Sequence, residues 1–558
     1  MKELFRFLAS RPLLLVELLL ASLLINLLGL ASSLYIMQVL SRYVSSGVDA
    51  TLVTLTAGVV VAVVAEWLLR QLRRHLAGGV IHRPMGRLSA GFFNSLLGVR
   101  LLDLLRLSGG ERRELINHLA TAQKTYTPAA VVTVLDLPFA FLFVGALFLI
   151  NHLVAVIAAV FLLIVFLITL VHQRRLALPT QQVAQQAARH GSLTASVMTT
   201  AESVRVFRGA ELMRRRWWEH QVALHRDQVG LTDRQDNVQT LTQGIGTLMG
   251  VAVIAAGAKL ANMGLMDTSL LVGSNIIASR AMSPVLRFAQ IVPQLAKARQ
   301  GLETLVRFGR LSMEKTEGVV LREFTGRIEL QSVGFSWPGA KGSLFESLTV
   351  VAESGQLLAV IGSNGTGKTT LLRLLAGVLE PQRGRILVDG YSQEQLDPDW
   401  WRQQLLYIPQ EPLFMEASLR DNLLTMRPDM DDEELNALVD RTGLRRFVNE
   451  NTQGLDLVLA EGGHYLSPGI RRRIALARAL AADGQLVLMD EPLEGVDAEG
   501  RQMFLELMRD LIAAGRTVVA ASHDAGMAKV AHQVIDLDSK PVPMVRTTGS
   551  LSAKEGQM

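Results

Sequence analysis

The chain of 558 residues contains no cysteine, which excludes disulfides, thiolate metal sites and a cysteine nucleophile. Charge is also scarce, with Asp, Glu, Lys and Arg at 19% against 49% hydrophobic residues. That balance excludes a disordered chain and is too apolar for an ordinary soluble enzyme. Lys and Arg number 56 against 51 Asp and Glu, a net +5 that is too small at this length to argue for nucleic-acid binding. At about 150 residues per domain the length admits three or four compact units, or two large ones.

Hydrophobicity is concentrated in the first half. Leu13 to Leu40 holds Glu17 as its only charge and is too long and too poorly terminated for a cleaved signal peptide. Five further segments, 51–69, 129–150, 152–171, 241–263 and 265–292, each offer near the ~20 residues that cross ~30 Å of hydrocarbon. The predicted domain therefore has six spanning helices. Ten Lys and Arg fall between Arg70 and Pro128 and ten more between His172 and Thr240, whereas the alternate connections hold only Arg42 and Lys259. Positive residues stay on the cytoplasmic side, so the N-terminus, both basic stretches and everything after about Val292 are expected inside. Each basic stretch is helix-compatible and is expected to extend the spans into the cytoplasm. Glu17, Glu66 and Asp136 either line a pathway or, as interface residues and a helix-break partner ahead of Pro138, serve structure alone.

The second half changes character. Boundaries are expected at 1–293 for the spanning domain, 294–325 for a charged connector, 326–540 for an α/β domain and 541–558 for a flexible tail. Gly362-Ser363-Asn364-Gly365-Thr366-Gly367-Lys368-Thr369 fits G-x-x-x-x-G-K-[ST], between the apolar strand 357–361 and a helical run from Thr370. Backbone NH groups of such a loop and the following helix dipole make an anion cradle. Lys368 is placed to neutralise β- and γ-phosphates and Thr369 to ligate Mg²⁺. The apolar run Leu486 to Met489 ends in Asp490-Glu491, a carboxylate for Mg²⁺ followed by one that orients and deprotonates water. His523, after the strand 517–521, is placed to contact the γ-phosphate.

With these residues the half from Gly326 to Asp538 resembles the nucleotide-binding domain of an ATP-binding cassette (ABC) transporter. The resemblance puts Trp337 against adenine, makes Gln410 the glutamine that senses metal and membrane domain, and assigns Asp497 to the loop after the catalytic glutamate. It implies ATP and Mg²⁺ as cofactors. One departure stands out: the family's Leu-Ser-Gly-Gly-Gln signature reads Leu466-Ser467-Pro468-Gly469-Ile470. Ser467 can cap the helix and Pro468 suits its first position, but one backbone NH is lost. Ser467 and Gly469 remain the candidate contacts. Leu107-Ser108-Gly109-Gly110-Glu111 looks closer to the signature but lies between spans, without a following strand and carboxylate pair.

Six spans before one cassette resemble a half-exporter, which implies a dimer with each ATP between one P-loop and the other subunit's signature. Coupling helices are then expected near 94–106 and 201–208. Leu34 to Leu40, Leu135-Asp136-Leu137-Pro138-Phe139, and Gly209-Ala210-Glu211 with Trp217-Trp218-Glu219 resemble type I protein secretion exporters. That family often carries an N-terminal peptidase or peptidase-like domain; without Cys no leader peptidase is expected here. The resemblance implies a bacterial inner-membrane ATPase that exports an unfolded polypeptide with a membrane-fusion protein and an outer-membrane channel. Export of a lipid, peptide or drug, or a weakly hydrolysing regulatory subunit of a heterodimer, are the alternatives.

Overall fold

The computed structural model describes residues 11–547 apart from 45–46, 341, 495–497 and 524. Two compact units form, one from the described residues up to Val99 with Leu107–Leu311, the other from Arg100–Arg106 with Ser312 onward.

The first unit is helical. Along the chain run α1 (Pro12–Gln38, continued by a π turn to Tyr43), α2 (Asp49–Gly98), α3 (Leu101–Arg106), α4 (Gly109–Thr125), α5 (Pro128–Asp136), α6 (Phe139–Ile150), α7 (His152–Thr199), α8 (Ala201–Val206), α9 (Ala210–Asn262) and α10 (Thr268–Phe308). Of these only α3 belongs to the second unit. Helix starts follow the sequence: Asn151 Oδ1 accepts from the NH groups of Leu153 and Val154, and Thr127 caps α5 with Pro128 at its first position. The run Pro128–Ile150 breaks at Leu137-Pro138, since proline removes a helical NH. Its neighbour α1 buries Ala21, Ser22, Gly29 and Ser33, small residues that allow close helix approach without water.

Helices α2, α7 and α9 have 50, 48 and 53 residues. At 1.5 Å per residue these are roughly 70–80 Å long, more than twice the ~30 Å hydrocarbon core, a length that leaves room for the expected extensions. By length and composition α1, α2, α5 with α6, α7 and α9 can each cross a membrane. The sixth expected span falls on α10, which is not among them because Arg280, Arg287 and several Ser, Asn and Gly residues dilute its apolar character. Short helices occur at both expected coupling positions, α3 and α8.

Three expectations need correction. Asp136 partners no helix break: its carboxylate accepts from Arg73 Nη1 at 2.5 Å and Nη2 at 3.4 Å, and Nη1 also reaches Ser22 Oγ at 2.9 Å. Both charged residues are buried, so each satisfies the other where an unpaired charge would be costly. The connector expected from 294 is helical as far as Phe308, because the apolar stripe Leu295, Ala298, Leu302, Leu305 and Phe308 keeps α10 buried on one face. The tail expected to be flexible from 541 contributes strand Met544–Thr547, whose register with Gln533–Asp536 is antiparallel.

In the second unit, β1 (Ile328–Phe335), β2 (Phe345–Ala352), β4 (Arg383–Val388) and β5 (Tyr391–Ser392) form an antiparallel sheet in the order β2-β1-β4-β5. A six-stranded sheet has the order β10-β9-β3-β8-β7-β6, from β3 (Leu357–Ile361), β6 (Leu405–Ile408), β7 (Leu486–Asp490), β8 (Thr517–Ser522), β9 (Gln533–Asp536) and β10 (Met544–Thr547). All its pairs but β10-β9 are parallel, and β3, β7 and β8 are almost wholly buried, as their unbroken apolar runs require. The relevant helices are α11 (Lys368–Leu375), α12 (Pro468–Ala481) and α13 (Ala498–Ala513).

Candidate nucleotide site

The parallel strands deliver three loops to one edge of the sheet, where ligands of open α/β folds bind. Beyond β3 the chain turns through Gly362–Gly367 into α11. Gly367 has φ +111°, and a Cβ there would lie 2.6 Å from Leu344 Cδ2, so the loop needs glycine at that position. Asp538 accepts from the Ser363 NH at 3.0 Å, and Lys540 Nζ donates to Thr366 O at 2.9 Å, fastening the loop from β9's side. The Ser363 contact holds the exposed Asp538 carboxyl below the usual carboxylate range.

Lys368 turns back over the loop it follows. Its Nζ donates to Gly362 O at 2.7 Å and Ser363 O at 3.3 Å and pairs with Glu491 Oε1 at 3.1 Å. Both side chains are buried. Glu491 has φ +48°, a strained setting for a non-glycine residue, and its NH donates to Ala521 O at 2.9 Å across the β7-β8 pair. Glu491 Oε2 accepts from the His523 NH at 3.2 Å and meets His523 Nδ1 at 2.9 Å. The structure thus joins Lys368, Glu491 and His523, which sequence reasoning had placed in one site without linking them.

Asp490 behaves differently. It is 1% exposed, and neither carboxylate oxygen has a well-aligned hydrogen bond among the described residues, although the Thr369 hydroxyl lies close enough to favour its charged form. Burial pushes its carboxyl above the usual range and neighbouring Glu491 adds to this, while Thr369, Arg373 and Lys368 pull the other way. An orphaned buried carboxylate beside Thr369 fits a hard cation that takes one or two protein oxygens and completes its shell with phosphates and water. Among the described residues no group of three or more His, Asp or Glu forms a self-sufficient metal cage.

The remaining candidates lie around this centre. Trp337 is half-buried and packs edge-on against Phe335, with centroids 5.4 Å apart. Asn364 and Gly365 are exposed, Thr366 and Thr369 half-buried and Thr370 buried. Gln410 Nε2 donates to Glu494 Oε2 at 3.0 Å. Ser467 caps α12 by accepting from the Ile470 NH at 3.3 Å, with Pro468 at the first position and Gly469 exposed. Among the described residues neither Ser467 nor Gly469 bonds to the Lys368–Glu491 cluster. Asp497 lies outside the described residues. The look-alike Ser108-Gly109-Gly110-Glu111 forms a capping box that starts α4, which accounts for its sequence without a nucleotide.

Sequence reasoning missed Glu494, Asp538 and Lys540. The last two follow β9 and no spacing rule marks them. Glu494 was visible as a carboxylate three residues after Glu491, but its bond to Gln410 crosses 84 positions.

A P-loop whose lysine pairs with a strand-end carboxylate, carried in one chain with several membrane-length helices, defines an ATP-driven membrane transporter. Residues 15–285 match the ABC transporter transmembrane region and residues 345–494 the ABC transporter family. The chain is an ABC half-exporter, with transmembrane and ATP-binding parts in one polypeptide, and its ATPase is coupled to export. Such exporters act as dimers in a membrane. The leukotoxin export ATP-binding protein LtxB of Aggregatibacter actinomycetemcomitans is 25% identical over 94% of this chain and 74% of its own length. The toxin RTX-I translocation ATP-binding protein of Actinobacillus pleuropneumoniae is 24% identical over the same shares. A bacterial Atm1-family ABC exporter solved with ATP bound has the same fold, with TM-score 0.82, 18% identity and coverage of 98% of this chain and 97% of that one.

Proposed function

We propose that the chain exports a polypeptide across a bacterial inner membrane as half of a type I secretion transporter, with a membrane-fusion protein and an outer-membrane channel as partners. The supporting observation is similarity along 94% of the chain to proteins named for leukotoxin and RTX toxin translocation. The names of these relatives favour a polypeptide over export of a lipid, peptide or drug.

In this reading ATP lies along Gly362–Thr370, with Trp337 beside the adenine and NH groups of the loop facing the phosphates. Lys368 must leave Gly362 O, Ser363 O and Glu491 to reach them. Phosphate binding therefore frees the Glu491 carboxylate, which accepts a proton from the attacking water while His523 holds Glu491 in place and faces the γ-phosphate. Thr369, Asp490 and Gln410 would hold Mg²⁺, which supplies charge neutralisation on the phosphate oxygens. The partner subunit's Ser467 and Gly469 complete the site.

The altered signature favours a second reading for the pairing alone. Pro468 has no NH and the Ile470 NH is taken by Ser467, so a homodimer would lack a donor at both sites and a heterodimer at one. Secretion of a polypeptide encoded beside this gene, followed with and without the chain, tests the export reading; secretion unchanged by deletion sinks it. Lys368→Ala should lower ATP affinity at least about tenfold by removing a buried phosphate-facing cation; unchanged affinity in equilibrium binding would refute its role.

A further inference from the structure

Two arginines on α10, Arg280 and Arg287, have no carboxylate partner among the described residues. Arg280 lies twelve residues after the helix start at Thr268, about 18 Å along the axis. Its Nη2 donates to Ser32 Oγ at 2.6 Å, and Gly29 on α1 makes room for it, since a Cβ there would lie 2.9 Å from Nη1. Ser32 stands eleven residues before Tyr43, so both helices place the contact near mid-depth. Arg287, two turns further along the same face and so about 28 Å from the helix start, near the other edge of a ~30 Å core, is exposed; among the described residues it donates only to Ser283 Oγ, at 3.2 Å from Nε and 2.8 Å from Nη2. Neither guanidinium forms an ion pair among the described residues. Arg73 in the same bundle sets the contrast, because it is buried against Asp136.

A guanidinium at mid-membrane costs about 2.5–3.5 kcal/mol or more unless water, a pathway or an anion meets it. Serine hydroxyls orient the two groups without neutralising them. We propose that Arg280 and Arg287 form an anion-binding stripe on the export path that engages carboxylates of an acidic polypeptide segment in transit. The inference rests on the polypeptide-export reading, with α10 as the sixth crossing. Their spacing of seven residues is about 10 Å along a helix, between the roughly 7 and 13 Å that separate same-face side chains two and four residues apart on an extended chain and within the reach of two long arginine side chains. Lipid phosphate is the poorer occupant of Arg280: headgroups lie at the edges of the ~30 Å core, whereas a segment crossing the membrane must pass its middle.

The test uses the full chain in nanodiscs and labelled 30-residue peptides matched in hydrophobicity, one rich in Asp and Glu, one in Ser and Gln, one in Lys. The acidic peptide should bind about tenfold more tightly than the neutral one, and the basic peptide more weakly still. Arg280→Gln with Arg287→Gln should reduce that advantage to about twofold or less, while the paired Lys variants retain most of it. An advantage untouched by the Gln variant would assign acidic binding to the cytoplasmic arginines and overturn the proposal. So would equal binding of acidic and neutral peptides, which leaves polypeptide export intact. Failure of every peptide to bind removes the export reading itself, and an Arg280 effect seen only as loss of anionic-lipid retention would transfer the stripe to lipid.

Discussion

Two helix starts in the second unit are built for anions in opposite ways. At α11 the preceding loop has glycine where φ is positive, and the only strong tie on Lys368 is to groups it can leave. At α12 the Ser467 hydroxyl and the Pro468 ring close the helix start against fraying, leaving Gly469 as the one free NH among its first three residues. A helix that is well capped is thereby poorer at greeting a phosphate. Stability of the element and affinity for the ligand draw on the same few NH groups.

The most severe break of that comparison is Glu491→Gln, which keeps shape and removes the carboxylate that Lys368 and His523 hold and that the proposed mechanism uses as its base. ATP hydrolysis should fall by a factor of roughly 10²–10⁴ with nucleotide binding retained. Wild-type turnover in a coupled ATPase assay would falsify the role. Next in size is Pro468→Gly combined with Ile470→Gln, which makes the second helix start more like the first. The chain purified alone should gain ATPase, up to about a hundredfold if a transition-state donor is restored. No gain from robust wild-type activity would show that Gly469 suffices and that a homodimer is competent.

A subtler change is Asp490→Asn. The folded state raises this carboxyl's pKa, so it binds the proton more tightly than the unfolded chain does, and stability falls as pH rises from the unfolded value through the folded one. Asparagine removes that loss, and without nucleotide the variant should melt higher than the native chain near pH 7, with the difference shrinking as pH falls towards the ordinary carboxylate range. It should also lose the extra melting-temperature gain that Mg²⁺ adds to ATP. A variant that melts lower without nucleotide would mean that Thr369, Arg373 and Lys368 together outweigh the burial of the carboxylate. Smallest is Glu494→Ala, which releases the Gln410 amide; a few-fold change in the Mg²⁺ concentration for half-maximal ATPase is expected, at about 0.5–1.5 kcal/mol per hydrogen bond. An unchanged Mg²⁺ profile would make the contact incidental.

Legibility in the sequence followed chain distance. The P-loop and Asp490-Glu491 could be read because each motif is contiguous, with its strand and turn supplied by immediate neighbours. Arg73 and Asp136 are 63 positions apart, so a one-dimensional reading could match Asp136 only to the proline beside it. Arg280 is illegible for a related reason: average apolarity describes its helix, while the contact with Ser32 and the lack of a carboxylate partner among the described residues appear only once α1 and α10 pack. The extent of α10 was lost where charge rises after Gln294, although the buried stripe continues in register to Phe308. Gln410 was legible as a residue type after a strand, but not its attachment to Glu494.

Helix α3 carries one more consequence. Its six residues come from the stretch between two membrane-unit helices, yet Leu101 and Leu102 pack on the core of the ATP-binding unit and Arg100 pairs with Glu380 at 2.8 Å. Arg100 also donates its NH to Ser312 O at 3.0 Å. The border between motor and membrane part is thus crossed three times by the polypeptide, so no single cut separates them. A fragment starting at Ser312 would expose the leucine-binding patch and leave Glu380 without its cation. Cassettes produced in isolation should be sticky for that reason, and a synthetic peptide spanning residues 100–106 is the natural plug to keep them in solution.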